Sequence, residues 1–310
     1  MPAYDLANRL VVGVASSALF DLRESDAVFR QQGEEAYRAY QEENRDHTLR
    51  PGVAFAFIRR LLSLNDLGEP GDPLVEVIIL SRNDPDTGLR VMRSIQAHHL
   101  PISRAVFMQG RSPYKFMPAL NMSLFLSANG DDVREAVAAG LPAGHVLGAA
   151  YPDDAADREL RIAFDFDGVL ATDAAEQVYQ AEGLEEFRAH EMRNAATPHD
   201  AGPLRDFLAG VNRIQNREEE RRRTHPEYEM RVHVSIVTAR NAPAHERAVN
   251  SLKQWGVRVN DAFFLGGIDK GAVMKVLDPH IFFDDQVTHL ESTARTTPSV
   301  HVPFGEINAR

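Results

Sequence analysis

Two aspartates stand two positions apart directly after an apolar run, where the sequence reads Ile162-Ala-Phe-Asp165-Phe-Asp167-Gly168-Val-Leu. Carboxylates at positions i and i+2 beyond a strand can approach one point, because the chain is leaving the sheet edge, and Gly168 permits the tight turn that follows. Such a pair can share a cation and a phosphoryl group. The pattern alone is moderately specific, since an Asp-Gly pair after a strand is more often a plain turn.

Three further features follow in order, each at the end of an expected strand or the start of the next helix: Thr238, Lys270 and the pair Asp284-Asp285. The strand ends of an open parallel sheet form one crevice, so these residues are expected to meet the first two aspartates there. Each also has a simpler interpretation: a helix or strand-end cap for Thr238 and the Asp pair, and a surface position for Lys270. Lys275 competes for the lysine role, but it lies over a turn inside the helix.

The elements that must position these residues are short apolar strands that alternate with stretches of helical spacing. This alternation predicts a parallel α/β layer structure rather than a sandwich or a bundle. The expected strands are Leu10–Val14, Val75–Leu80, Ala105–Met108, Leu124–Leu126, Arg161–Phe164, Val232–Val237, Ala262–Leu265 and Ile281–Phe283.

The two halves of the chain match each other when one is shifted by 150 positions. Residues 28–44 give six identities in seventeen positions under this shift, against about one expected by chance. Later expected strands and helices also pair in order. We interpret the chain as a duplicated α/β unit with domains at 1–150 and 151–310; two unrelated α/β domains are the alternative.

The first copy lacks the chemistry of the second. The shift places Asp165 and Asp167 on Ala15 and Ser17, and the later Asp pair falls near Ser127. We therefore expect 1–150 to be a catalytically silent, degenerate repeat that supports or helps select the substrate. Lys115 persists there, either as an anion contact or as a surface lysine.

Two segments are expected to lie outside the repeated sheet units. About 60 residues, 171–230, separate the expected strands Arg161–Phe164 and Val232–Val237. This is far longer than an ordinary βα loop of about 2–6 residues. This segment contains the helical stretches Ala174–Glu191 and Gly202–Arg223, which predict a helical cap over the crevice. The segment Gly140–Glu159, rich in proline, glycine and aspartate, is the expected linker.

Composition narrows the function classes. The 310 residues, 44% hydrophobic and 25% charged, predict a folded globular chain. The net charge of −11 disfavours nucleic acid polymers as partners, and the lack of cysteine excludes disulfides and thiolate metal sites. No apolar run reaches the roughly 18 residues of a membrane span, and no signal peptide is recognisable. The expected location is the cytoplasm, and an oligomer is left open.

The ordered set Asp165-x-Asp167-Gly, Thr238, Lys270 and Asp284-Asp285 resembles the haloacid-dehalogenase-like phosphatase superfamily. The wider sequence is similar to the cytosolic 5′-nucleotidase I family along nearly the whole chain. The stretches that carry this similarity are Ser16-Ser-Ala-Leu-Phe20, Gly33-x-Glu-x-Tyr37, Ser112-Pro113, Leu126-Ser-Ala128, Phe187-Arg-Ala-His-Glu191, Gly202-Pro-Leu, Val237-Thr-Ala-Arg240, His280-Ile-Phe-Phe-Asp-Asp-Gln286 and His301-Val-Pro-Phe-Gly305. The resemblance implies a Rossmann-like parallel sheet with a helical cap and a magnesium-dependent phosphohydrolase of nucleoside 5′-monophosphates.

The resemblance and the residue types together give each catalytic candidate a role. Asp165 is the expected nucleophile, which forms an aspartyl-phosphate. Asp167 protonates the leaving ribose oxygen and later deprotonates the attacking water. Thr238 donates hydrogen bonds to phosphoryl oxygens, and Lys270 neutralises charge on the nucleophile and the phosphate.

Binding candidates complete the expected site. The substrate-binding set is Thr238, Arg240, Lys270 and Lys115, with helix capping as the alternative role of Arg240. The candidate Mg²⁺ ligands are Asp165, Asp167, Asp284 and Asp285, and the sequence does not show which of the last two touches the ion. Histidines such as His289 are expected to be structural.

Two other functions stay open on sequence grounds. The core motifs fix the reaction and not the leaving group, so a phosphatase for a sugar phosphate or another small monoester is the nearest alternative. A nucleotide-sensing binding protein without turnover is the second, although the intact Asp165 and Asp167 disfavour it.

Overall fold

A computed structural model of the chain describes residues 4–154 and 156–308. Ten strands form one mixed sheet, mostly parallel, in the order β3-β2-β1-β4-β5-β10-β9-β6-β7-β8. The strands are β1 (Leu10–Val14), β2 (Val75–Ser81), β3 (Arg104–Phe107), β4 (Met122–Ser127), β5 (Ala143–Leu147), β6 (Leu160–Phe164), β7 (Val232–Thr238), β8 (Asp261–Phe264), β9 (Ile281–Asp284) and β10 (Ser299–His301). The α/β class expected from the sequence is confirmed.

Helices connect most successive strands; β3 and β4 are joined by 3₁₀ turns instead. The helices are α1 (Ser16–Leu19), α2 (Arg23–Glu43), α3 (Phe55–Ser63), α4 (Pro85–Ala97), α5 (Gly130–Ala138), α6 (Ala174–Arg193), α7 (Arg205–Thr224), α8 (His245–Gln254), α9 (Lys270–Leu277) and α10 (Val287–Thr293). Short 3₁₀ turns cover Leu64–Leu67, Pro113–Phe116, Pro118–Leu120 and Glu306–Asn308. Among the described residues, no helix combines the length and apolar character that crossing a bilayer requires.

The direction of the strands changes once across the sheet. Strands β1 to β5 are parallel to one another, and so are β6 to β10. The two sets join where β5 and β10 pair antiparallel, with Val146 opposite Val300. The carboxyl ends of the first five strands and of the last five therefore lie at opposite edges of the sheet.

Side chains alternate between the two faces of each strand and build different cores. Val12 and Val14 of β1 belong to a cluster that also contains Phe164 and Phe283, so this core is shared by both halves. Val11 faces the other side and packs in a cluster confined to the first half; Phe282 does the same in the second half. Full burial of such side chains contributes roughly 1.5–3 kcal/mol each.

The prediction of a linker at Gly140–Glu159 is wrong for its first part, which forms strand β5 in the middle of the sheet. Its sequence, Ala-Gly-His-Val-Leu, lacks a long apolar run and gives little strand signal by itself. The described residues after this strand, 148–154 and 156–159, form no strand or helix but are held in place, because the buried Arg60 donates to Asp153 and to the carbonyl oxygens of Asp157 and Glu159. Strand β10 was not predicted either, because its three residues are too few to give a strand pattern.

The two helices of the expected cap have different surroundings. Helix α7 buries Phe207, Leu208 and Val211 in the shared core, so it is a layer helix against the sheet. Helix α6 is largely exposed and is broken at Gly183, where φ is 83°. Helix α2 of the first half is broken in the same way at Gly33, with φ at 85°.

Candidate functional site

The sheet order brings three strand ends of the second half together. Strand β6 lies between β9 and β7, so Asp165 follows the central strand, Thr238 ends one neighbour, and Asp284 ends the other. All three side chains are buried. The backbone N–H of Phe166 donates to Asp165 Oδ1 over 2.7 Å, which fixes that carboxylate at the sheet edge.

Lys270 bridges the carboxylates of Asp165 and Asp284. It begins helix α9, where the Asp269 side chain caps the helix by accepting from the N–H of Gly271. Its Nζ lies 2.8 Å from Asp165 Oδ2 and 2.7 Å from Asp284 Oδ2. Burial opposes the charge of Lys270, but the two carboxylates outweigh burial and raise its pKa. Lys270 is therefore a fixed cation between the expected nucleophile and a candidate metal ligand.

The site brings three carboxyl groups, those of Asp165, Asp284 and Asp285, around one lysine. Burial, together with the nearby Asp284, raises the pKa of Asp165 to about 6, although Lys270 acts in the other direction. Burial, and then repulsion from Asp165 and Asp284, raises the pKa of Asp285 to about 9. Asp285 Oδ1 is buried and has no hydrogen-bond partner among the described residues. A buried carboxyl oxygen without a hydrogen-bond partner is costly, and a cation beside Asp285 would remove that cost.

Gly168 allows the close approach of Asp285. Its φ of +69° lies in the left-handed region, as the expected turn requires. A Cβ at this position would lie 2.3 Å from Asp285 Oδ2 and 2.4 Å from its Cγ. A larger residue at position 168 would therefore displace this carboxylate.

The donor atoms suit a hard divalent cation. Asp165, Asp284 and His289 each offer one ligand atom, and these atoms lie within 4.8 Å of one another. The unpartnered Asp285 oxygen adds a further candidate, and carboxylate oxygens are the ligands that hard cations prefer. His289 was not expected here from the sequence; its Nδ1 lies 3.1 Å from Asp284 Oδ2.

Asp167 lies apart from that set and binds an arginine. Arg240 Nε and Nη2 each lie 2.6 Å from one oxygen of Asp167. The remaining nitrogen of Arg240, Nη1, binds Glu191 and the carbonyl of Ala244. All three guanidinium nitrogens thus bind protein oxygens, and the structure places Arg240 on the expected general acid rather than free in the crevice.

Glu191 anchors this arginine, and sequence reasoning gave it no role. The buried carboxylate accepts from Arg240 and Arg247 and lies 3.1 Å from His199 Nε2. Burial favours its protonated form, but these hydrogen bonds and charges dominate and lower its pKa. The only available sequence signal was its place in the Phe187-Arg-Ala-His-Glu191 stretch; its partners lie up to 56 positions away.

The remaining candidates have clear positions. The buried Thr238 uses its Oγ1 to accept from the N–H of Arg240 over 3.2 Å, which is a strand-end cap. Lys115 is exposed in the 3₁₀ turn Pro113–Phe116 of the first half. The structure thus brings together Asp165, Lys270, Asp284 and Asp285, sets Asp167 and Arg240 beside them, and leaves Lys115 outside the cluster.

The structure defines an α/β protein with a mostly parallel sheet. At its strand ends, Asp165, Lys270 and Asp284 form a buried acidic cluster that can hold a divalent cation. The chain belongs to the 5′-nucleotidase family, whose sequence profile matches residues 2–309. Human cytosolic 5′-nucleotidase 1B is 30% identical over 295 residues, which cover 93% of this chain and 48% of the human protein. The chain thus spans about half the length of that curated relative. No solved structure gives a significant match.

Proposed function

We propose that the chain hydrolyses nucleoside 5′-monophosphates to nucleoside and phosphate through an aspartyl-phosphate. The observation that carries the proposal is the buried Asp165 carboxylate held by Lys270 at a strand end, in a chain of the 5′-nucleotidase family. The name of the human relative supports the substrate class and a cytosolic location.

In the first step, an oxygen of Asp165 attacks phosphorus and the bond from phosphorus to the ribose 5′-oxygen breaks. The attacking carboxylate must be ionised; Lys270 favours that form and also offsets charge on the phosphoryl oxygens. Thr238 borders the same strand ends. Because its oxygen already accepts from Arg240, its hydroxyl hydrogen is free to be donated to a phosphoryl oxygen.

Asp167 handles the proton in both steps. It gives a proton to the leaving 5′-oxygen, and it then takes one from the water that attacks the phospho-enzyme, which restores Asp165 and releases phosphate. Each Asp167 oxygen accepts one N–H from Arg240, which leaves a further lone pair on each oxygen for the proton. Arg240, itself held by Glu191, is the positioning residue for Asp167.

Asp165, Asp284, Asp285 and His289 would hold Mg²⁺, since Asp165, Asp284 and His289 offer donor atoms within 4.8 Å of one another and Asp285 Oδ1 is buried without a hydrogen-bond partner among the described residues. When bound, the ion supplies charge neutralisation at the phosphoryl group and orients the nucleophile. Of the four carboxylates expected as Mg²⁺ ligands, Asp167 is the least suited, because it already forms an ion pair with Arg240.

We further propose that 151–310 is a haloacid-dehalogenase-type catalytic unit and that 1–150 is a degenerate copy. The matching strand orders β3-β2-β1-β4-β5 and β8-β7-β6-β9-β10 support this proposal. So do paired contacts: the N–H of Leu49 donates to Ser94 Oγ, and the N–H of His199 donates to Ser251 Oγ, both over 2.9 Å. Helix α6 is the part of 171–230 that serves as the cap in this proposal.

Phosphate release from a panel of nucleoside 5′-monophosphates and sugar phosphates, measured with Mg²⁺ and with EDTA, tests the function. We expect hydrolysis of nucleotides with Mg²⁺ and little in EDTA. Faster release from sugar phosphates would establish the phosphatase alternative. Tight nucleotide binding without release from any ester would establish a binding protein.

A further inference from the structure

A second crevice lies at the opposite edge of the sheet from the proposed catalytic site. A cavity of about 800 Å³ is formed at the carboxyl ends of β1, β2 and β4 in the first half. Its lining includes Ser16, Ser17, Ser81, Asn83 and Ser127. In a parallel α/β sheet, this is the position at which ligands bind, and the volume falls in the range of small-molecule sites.

The floor of this crevice carries hydroxyls where the other crevice carries charges. Ser17 takes the place of Asp167, and Ser127 ends β4 as Asp284 ends β9. Ser16 Oγ and Ser81 Oγ lie 3.0 Å apart, so the hydroxyls are hydrogen-bonded to each other. A floor without carboxylates neither requires a cation nor repels an anion.

Asn83 presents a donor that has no acceptor. Its Oδ1 accepts from the hydroxyl of Tyr37 over 3.1 Å, which sets the orientation of the amide. Its Nδ2 is buried and has no hydrogen-bond partner among residues 4–154 and 156–308. Arg240, two residues beyond β7 as Asn83 is two beyond β2, has Asp167 as its acceptor. An anionic oxygen in the crevice would satisfy the Asn83 donor.

An aromatic side chain stands among the lining residues. Phe29 is 51% exposed, and its ring lies edge-on to Tyr37 with centroids 5.7 Å apart. An exposed ring face at a crevice is a stacking surface for a planar base. The second half has the same pair, with Tyr179 exposed and Phe187 edge-on at 6.1 Å.

Five acidic residues also line the cavity, and four of them lie in ion pairs with arginines of the same lining. Glu34 and Asp84 both pair with Arg38 at 2.9 Å. The other ion pairs within the lining are Asp131 with Arg134 and Asp132 with Arg82.

We propose that the first-half crevice binds a nucleoside 5′-monophosphate without a divalent cation and without turnover. The base stacks on Phe29, and the phosphate accepts from Asn83 and the serine hydroxyls. The choice of ligand class rests on the proposed function, because the two crevices share one framework. Ala15 offers no nucleophile and Ser17 no carboxyl group to act as general acid, so the bound ester stays intact.

Isothermal titration calorimetry with adenosine 5′-monophosphate in EDTA tests the proposal, using wild type, Phe29→Ala, Ser17→Asp and the matched control Tyr179→Ala. We expect Phe29→Ala to weaken binding roughly tenfold or more through lost stacking. Ser17→Asp should weaken it at least as much, because it places a negative charge on the floor. Tyr179→Ala should change binding less than about twofold. Adenosine and inorganic phosphate, titrated separately, should each bind more weakly than the nucleotide.

No binding in EDTA would overturn the proposal, and so would binding that Tyr179→Ala removes and Phe29→Ala does not. Phosphate release with Mg²⁺, measured on the same wild-type preparation, separates the two proposals. Hydrolysis without binding in EDTA would overturn this inference alone. Phe29-dependent binding without hydrolysis would overturn the proposed function alone.

Discussion

The two crevices of the sheet share their framework and differ in their charges. Each lies at the carboxyl end of a central strand, β1 or β6, and each half has an exposed aromatic residue, Phe29 or Tyr179, on a helix broken at a glycine. One floor carries Asp165, Lys270 and Asp284, all buried, whereas the other carries serine hydroxyls. The comparison teaches that a few side chains at strand ends decide whether the same scaffold can perform phosphoryl transfer.

The largest expected effect is that of Asp165→Asn. An amide cannot form the acyl-phosphate, so kcat should fall by several orders of magnitude. Steady-state phosphate release checks the loss, and thermal unfolding checks that the fold is kept. Ser17→Ala, in the other crevice, is the control and should keep kcat within about twofold. Near wild-type turnover of Asp165→Asn would remove the distinction between the crevices.

Asp167→Asn should lower kcat by about 10²–10⁴-fold, because the amide cannot transfer the proton. The loss should be greater for nucleotides than for p-nitrophenyl phosphate, whose leaving group needs little protonation. Parallel kinetics on both esters make the measurement. An equal loss on the two substrates would instead mean that Asp167 serves mainly to hold Arg240.

Glu191→Gln should destabilise the fold at neutral pH by about 3–5 kcal/mol, since it removes the charge that neutralises the buried Arg240 and the partly buried Arg247. In the first half, the neutral Gln41 occupies the same place and accepts from Arg90. Urea unfolding measures the change. The control Glu186→Gln, on the same helix, removes an exposed pair with Arg193 and should cost about 0–1 kcal/mol.

The same variant should show a pH dependence of known sign. Glu191 has a lowered pKa in the folded state, so its stabilisation is complete above its ordinary value of 4.5 and is lost as the pH falls through the lowered pKa. The stability difference between wild type and Glu191→Gln should therefore shrink as unfolding is measured at progressively lower pH below 4.5. A difference that stays constant down to the acid limit of folding would contradict an ionised Glu191.

Gly33→Ala and Gly183→Ala should each cost about 1–3 kcal/mol of unfolding free energy, because both glycines adopt a φ near +85° with an extended ψ. Beyond the local backbone, no atom of the described residues lies within 4 Å of a Cβ at either position, so the cost comes from the backbone conformation alone. Chemical denaturation of the two variants side by side measures it. Unequal costs would show that the two breaks are not equivalent.

The smallest effect is expected for Lys115→Ala. The side chain is exposed, is absent from the lining of the first-half cavity, and belongs to the half whose strands run in the opposite direction. Both kcat and KM should stay within about twofold, while Lys270→Ala should lose most of its kcat. A selective rise in KM for Lys115→Ala would support its role as a substrate contact.

The sequence alone determined most of the site residues and the class of fold. The strands before Asp165, Thr238 and Asp284 are short segments rich in apolar and β-branched residues, so they can be recognised from the local sequence alone. Their common location then follows from the rule that parallel strand ends share an edge. The position of Lys270 at a helix start was also predictable, because the next lysine lies over a turn later.

Only the tertiary structure decided how the halves join and which charges pair. Three residues of β10 pair antiparallel with β5, and this turns the two crevices to opposite edges of the sheet. No local sequence pattern predicts this antiparallel pairing, since the two strands lie more than 150 positions apart in the chain. Arg240 likewise binds Asp167 and Glu191 because folding buries Arg240 and Glu191 away from water, where an unpaired charge would be too costly to keep.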